Sequence, residues 1–208
     1  MALVEVRNVS HVRGGESVLR DIDLSLEPAT LTVLAGRSGS GKSTLCHLIA
    51  GVMQPTSGEV LVPSQDWATV SLLPQRLALE PSLTVAENVL LPAALRSAGA
   101  KNAPRSAHRP DELLERLGLA GIAGRPAQDT SLGEQQRTAL GRALVLEPRV
   151  AVLDEPTAHQ DDENVGLVLD ALRAAVQSGT LVIVATHDQR VIEAADHVVH
   201  LQSGRLTR

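Results

Sequence analysis

Phenylalanine and tyrosine are absent from these 208 residues, and Trp67 is the sole aromatic side chain. That removes the stacking platforms on which single-stranded nucleic acids are held. The net charge of −5 leaves no broad basic face to displace counterions from a phosphate backbone. Nucleic acid is therefore not an expected partner. The one cysteine, Cys46, excludes an internal disulfide and suits a reducing compartment. Its place inside an apolar helical pattern reads as a plain buried thiol. No run nears the roughly 20 apolar residues of a transmembrane helix, and the start, Met1-Ala2-Leu3-Val4-Glu5-Val6-Arg7, lacks a signal-peptide pattern. A cytoplasmic location is expected, with any membrane role reached through a partner. Lysine is scarce too: Lys42 and Lys101 are the only two. What remains is an ordinary soluble composition, long enough for one well-cored domain carrying an inserted subdomain.

One of those two lysines ends a glycine-rich run. Gly36-Arg37-Ser38-Gly39-Ser40-Gly41-Lys42-Ser43-Thr44 follows the apolar stretch Leu31 to Ala35, a short buried strand. It opens onto Leu45, Leu48, Ile49 and Val52, the apolar face of a helix. Gly36, Gly39 and Gly41 let the backbone turn tightly and aim its N–H groups at phosphate oxygens, where the helix dipole favours negative charge. Lys42 is expected to reach the β- and γ-phosphates and the Ser43 hydroxyl to coordinate Mg²⁺. The run is a phosphate-binding loop.

Around it, Val4 to Val9 and Ile22 to Leu26 alternate as half-buried strands about the turn at Gly14-Gly15. Glu59 to Val62 and Ala68 to Leu73 are further strands. From Leu77 to Thr130 the pattern is helical and loop-rich, with one clear helix from Asp111 to Leu117. Strand–helix alternation then resumes: a helix from Ser131 to about Leu146, a buried strand Val150 to Leu153, and a helix face of Val165, Val168, Leu169, Leu172 and Val176. Two more strands follow, Leu181 to Ala185 and His197 to Leu201. The expectation is an α/β core around a mostly parallel sheet covered on both faces, interrupted by a helical insert. Between Glu87 and Asp111 there is no acidic residue, while Arg96, Lys101, Arg105 and Arg109 are basic. That stretch reads either as a docking surface for an acidic partner or lipid headgroups, or, more simply, as a solvated loop.

The strand Val150 to Leu153 ends in Asp154-Glu155. Ligands bind beyond the carboxyl ends of strands in α/β sheets, so both acids should face the phosphates. The first suits a metal contact and the second can polarise the attacking water. Ser131 with Glu134 three residues later forms a capping box, which marks an exposed helix N-terminus able to meet an anion. His187 stands at the end of a core strand, within reach of a γ-phosphate. His11, His47, His108, His159, His197 and His200 have no such context and read as surface or core residues.

With these motifs in this order, Val4 to Leu206 resembles the ATP-binding subunit of an ABC transporter. Ser131-Leu132-Gly133-Glu134-Gln135-Gln136-Arg137 resembles that family's signature, and Leu83 to Pro92 resembles its lipoprotein-releasing, macrolide-exporting and haem-exporting branch. The resemblance implies a P-loop NTPase (RecA-like) core with an N-terminal antiparallel β subdomain and an inserted α-helical subdomain, the core spanning 1–75 and 138–208 and the helical part about 76–137. It implies ATP and Mg²⁺ as cofactors. Lys42, Gln75, Glu155 and His187 would be catalytic, and Ser43, Gln75 and Asp154 would handle the metal. The loop 36–44, Arg13, Ser131, Gly133, Glu134 and Asp161 would bind nucleotide, with the signature residues meeting ATP held on a second copy. The implied partners are that second subunit, as a homodimer, and a membrane permease docked near the helical part on the inner face of the membrane. The implied role is export or membrane extraction. An ATP-dependent envelope-signalling protein that moves no cargo would need the same residues.

Three departures stand out. Arg13 occupies the place of an aromatic ring against adenine, and the segment between Val62 and Gln75 is short for the branch. Leu132 replaces a glycine of the signature, so its side chain either loosens closure on the partner's phosphate or points away and packs under the helix.

Overall fold

In the computed structural model, which describes residues 2–99 and 110–207, the chain begins with a three-stranded antiparallel sheet. Its strands are β1 (Val4–Arg13), β2 (Glu16–Leu26) and, later in the chain, β4 (Ser57–Leu61), in the order β2-β1-β4. Val4 and Val6, then Val9 and His11, turn inward by period-two alternation, and an irregularity at Asn8 (φ 47°) between the two pairs keeps both on the buried face. The hairpin turns on Gly14 and Gly15 at φ 60° and 85°, angles that a β-carbon penalises. β1 and β2 run further towards that turn than the alternation alone suggests, because Val12 pairs with Ser17 and Arg13 with Glu16 although all four are exposed.

The main sheet has the order β5-β6-β7-β3-β8-β9. Its strands are β3 (Leu31–Ala35), β5 (Val70–Leu73), β6 (Val150–Asp154), β7 (Leu181–Thr186), β8 (His197–Gln202) and β9 (Arg205–Thr207). All pair in parallel except β8 with β9. β3, β6 and β7 are buried along their whole length and feed two cores, one on each face. Ala151, Leu153, Val182 and Val184 point into a core shared with α4 (Leu132–Leu144) and α5 (Asp162–Gln177). Val150, Val152, Leu181 and Ile183 point the other way, towards α1 (Lys42–Ile49) and the antiparallel sheet. The remaining helices are α2 (Val85–Gly99), α3 (Pro110–Arg116) and α6 (Gln189–Glu193).

Several boundaries move. α1 stops at Ile49 and Val52 is 63% exposed, because Val52 N–H turns back to the His47 carbonyl in the closing turn. β5 starts at Val70, since Asp66 draws the N–H groups of Ala68 and Thr69 into a turn. α4 ends at Leu144 rather than Leu146. The insert holds α2 besides α3, and β9 extends the sheet edge; neither was expected. Lys101, Arg105, His108 and Arg109 lie outside the described residues.

Candidate nucleotide-binding and catalytic site

The phosphate loop leaves β3 at the carboxyl edge of the sheet and enters α1 at Lys42. Gly41 sits at φ 107°, and a β-carbon there would stand 2.7 Å from the Leu19 side chain and 3.1 Å from the Val18 carbonyl. The loop can therefore take this path only with glycine at that point. Lys42, buried to 8% exposure, donates its Nζ to the carbonyls of Gly36 at 2.7 Å and Arg37 at 3.2 Å. The ammonium thus lies across the mouth of the loop.

A cleft of about 950 Å³ opens there. Arg37, Ser38, Gly39, Gly41, Lys42, Ser43 and Thr44 line one wall, and Gln75, Asp154, Glu155 and His187 are among the residues lining the others. The ends of β5, β6 and β7 and the loop after β3 thus bring together residues spread over most of the chain. Gly36 and Ser40 face a second depression of about 740 Å³, against His200 to Ser203, on the loop's other side.

The two acids differ. Asp154 is buried and its Oδ2 has no hydrogen-bond partner. Burial pushes its carboxyl up from the usual range, partly offset by the Ser43 hydroxyl, while Glu155 adds to the rise and His47 and Lys42 oppose it. Glu155 is positioned on both oxygens: Thr186 Oγ1 donates to Oε2 at 2.8 Å and His187 Nδ1 lies 2.9 Å from Oε1. The His187 side chain is 82% exposed and that of Glu155 19%, so the pair runs from protein to solvent. Thr186, buried at the end of β7, has no sequence signal beyond its place before His187.

The other nucleotide-binding candidates lie apart from the cleft lining. Ser131 caps α4: its hydroxyl accepts from Glu134 N at 3.2 Å, and Glu134 Oε2 accepts from Ser131 N at 2.7 Å. The helix end is exposed, and Leu132 is 59% exposed beside it, so this leucine does not pack under the helix. Gly133 lies against the His159 carbonyl. Asp161 is exposed and caps α5 through Asn164 N at 2.9 Å. Arg13 is exposed at the end of β1 and is not among the cleft's lining residues. Cys46 is a buried thiol whose pKa burial raises. Gln136 and Thr157 also line the cleft, without being singled out by sequence.

A phosphate loop at the switch point of a parallel sheet, facing an Asp-Glu strand end and a histidine, defines a P-loop ATPase cassette. The family model described as ABC transporter matches residues 19–158. This chain belongs to the ABC transporter family, as one of its ATPase domains. It is 37% identical over 208 residues to an uncharacterized ABC transporter ATP-binding protein of Mycobacterium tuberculosis H37Rv, covering 93% of this chain and 62% of that protein. The chain thus spans less than two thirds of the first curated relatives' length. It is also 37% identical over 204 residues to the lipoprotein-releasing system ATP-binding protein LolD of Legionella pneumophila, covering 91% of this chain and 88% of LolD. Among solved structures, an ATP-binding cassette in a dimeric post-hydrolysis state bound to ADP and Pi shares 28% identity at a TM-score of 0.86, covering 99% of this chain and 97% of that one.

Proposed function

We propose that the chain hydrolyses Mg-ATP in a dimer of two copies sandwiching two nucleotides, and that this drives a separate membrane permease. The observation that carries the reading is Glu155, held through both carboxylate oxygens beside Lys42 and Asp154 in one cleft. The residues fit the cofactors. Asp154 Oδ2 is buried without a hydrogen-bond partner, a carboxylate oxygen that a cation would satisfy, and Ser43 and Gln75 stand on the same cleft. Mg²⁺ is usually held by one or two carboxylates plus substrate phosphates, and Asp154 offers one such carboxylate on the cleft. Gly39, where an added β-carbon would meet nothing within 4 Å, leaves the loop backbone open to phosphate oxygens. When bound, Mg²⁺ supplies neutralisation of charge on the β- and γ-oxygens.

The chain's own groups do the rest by placement and charge. Ser43, Asp154 and Gln75 would hold the metal, Lys42 would stabilise phosphate charge, and Glu155 would orient the water and accept its proton. His187, tied to Glu155, meets the γ-phosphate. The exposed end of α4 at Ser131, Gly133 and Glu134, together with Asp161, would face the nucleotide of the second copy. No helix among the described residues is long and apolar enough to cross a membrane. A groove of about 300 Å³ between Val52, Trp67, Leu72, Arg142 and Leu146 of the core and Pro92 of the helical part, taken as 76–137, would receive the permease. Trp67 lies half exposed there. Likeness to LolD supports export or membrane extraction, on the inner face of the membrane. Reconstitution with the permease that co-purifies from native membranes tests this: ATP-dependent flux is expected, and ATP-driven dimerisation with no flux would favour a signalling role instead.

A further inference from the structure

The first turns of α4 touch the turn after β6 at two points, and the two bonds run in opposite directions. Gln136 Nε2 donates to the Glu155 carbonyl at 2.9 Å, and Gln160 Nε2 donates to the Gly133 carbonyl at 2.8 Å. The orientation of Gln160 is forced. Arg137 has donors only and gives Nη1 to Gln160 Oε1 at 2.6 Å, leaving the amide nitrogen for the carbonyl. Gln136 is 3% exposed, so water does not replace its bond to Glu155. Gly133 permits the approach, since a β-carbon there would stand 3.0 Å from the His159 carbonyl.

The turn itself is held against its preference. Glu155 and His159 lie at φ 52° and 61°, a region that non-glycine residues keep only where their surroundings over-determine it. At Glu155 those surroundings are complete: its N–H goes to the Ala185 carbonyl at 2.8 Å, and its own carbonyl accepts from Ala158 N at 3.1 Å as well as from Gln136. Thr186 and His187 hold its side chain, whereas Gln136 is the side chain that bonds its backbone, and it comes from the helix that Ser131 caps.

We infer that Gln136 and Gln160 are positioning residues that clamp the exposed end of α4 to the turn carrying this chain's own Glu155. The inference rests on the proposed function, in which the α4 end meets the second copy's nucleotide and Glu155 serves the chain's own. Engagement at one nucleotide then sets the hydrolytic carboxylate at the other. Gln136 governs the carboxylate end of the clamp, and Gln160 the end that faces the second copy.

Gln136→Met and Gln160→Met remove each donor at similar volume and separate the two ends. For Gln136→Met, phosphate release is expected to fall about tenfold or more, since misplacement by about 1 Å can cost on the order of 10²-fold. Mg-ATP affinity by titration calorimetry should stay within about twofold and the melting temperature near wild type. For Gln160→Met combined with Glu155→Gln, sizing columns should show ATP-driven dimerisation needing about tenfold more protein, with monomer affinity for Mg-ATP unchanged. Wild-type turnover in Gln136→Met overturns the clamp, as does a fall in turnover matched by equal losses of affinity and melting temperature. Should Gln136→Met not fold, the half-buried Gln160 position decides alone, and unchanged dimerisation there overturns the inference. A wild-type protein that releases no phosphate would remove the proposed function and the clamp together. Normal turnover in Gln136→Met beside a dead Glu155→Gln would remove only the clamp.

Discussion

Leu132 and Arg13 are the two side chains at which this chain parts from the pattern it resembles, and both are exposed. Leu132 stands at the first helical position beside the capping Ser131, where an isobutyl group would meet a second copy closing on the helix end. Leu132→Gly is therefore expected to raise basal phosphate release by the isolated subunit. Because the leucine is 59% exposed, the cost to stability is that of glycine at a helix start, at most about 1 kcal/mol, rather than that of a vacated core. Activity that stays flat or drops in a protein melting as the wild type does would contradict this. Arg13 offers a flat cation that can stack on either purine but reads no hydrogen-bond pattern. Competition binding should show ATP preferred over GTP by less than about tenfold, or roughly 1.4 kcal/mol. A larger preference would mean that another group reads the base.

Elements were legible wherever one local pattern set them. The phosphate loop, the strands β3, β6 and β7 and the capping box at Ser131 are contiguous in sequence, and the structure holds them within a residue or two of expectation. α2 was hidden because its apolar residues surround the helix and because Pro92, which usually ends a helix, lies inside it. A signal was nonetheless present: Thr84-Val85-Ala86-Glu87 is a capping box, with Glu87 Oε2 accepting from Thr84 N at 2.8 Å. Buried Asn88 then binds the Glu80 backbone on both its N–H and its carbonyl, which fastens the preceding loop to the helix. Contacts such as Gln136 with Glu155 join residues far apart in sequence, and no local pattern encodes them. α6 gives a pH test at this scale. Asp188 caps it and accepts from Arg190 N, Nε and Nη2, and the Arg190 side chain chiefly holds its carboxyl below the usual range. With the folded value depressed, this stabilisation is complete above the ordinary aspartate value of about 4 and is lost as pH falls through the folded one. Urea midpoints at neutral pH and near pH 3 should therefore drop less in Asp188→Asn than in wild type. An equal drop would show that Asp188 contributes nothing to acid sensitivity.

At the scale of the whole molecule, the proposed function has the sheet's carboxyl edge supply one half of a reaction site and the exposed α4 end the other half, for a second copy. A single copy would then bind nucleotide without completing the chemistry, and Mg-ATP should create the dimer that does. Binding alone should raise stability by about 2.7 kcal/mol at a ligand concentration 100 times the dissociation constant. The most direct measurement compares wild type with Glu155→Gln for phosphate release and for size on a column, each with and without Mg-ATP. Loss of the group that accepts the water's proton should slow release by at least about 10²-fold, while the variant, still binding ATP, runs as a stable dimer only when Mg-ATP is present. Turnover like the wild type's in Glu155→Gln would contradict the assignment of that carboxylate and, with it, the account of the cleft as the site of hydrolysis.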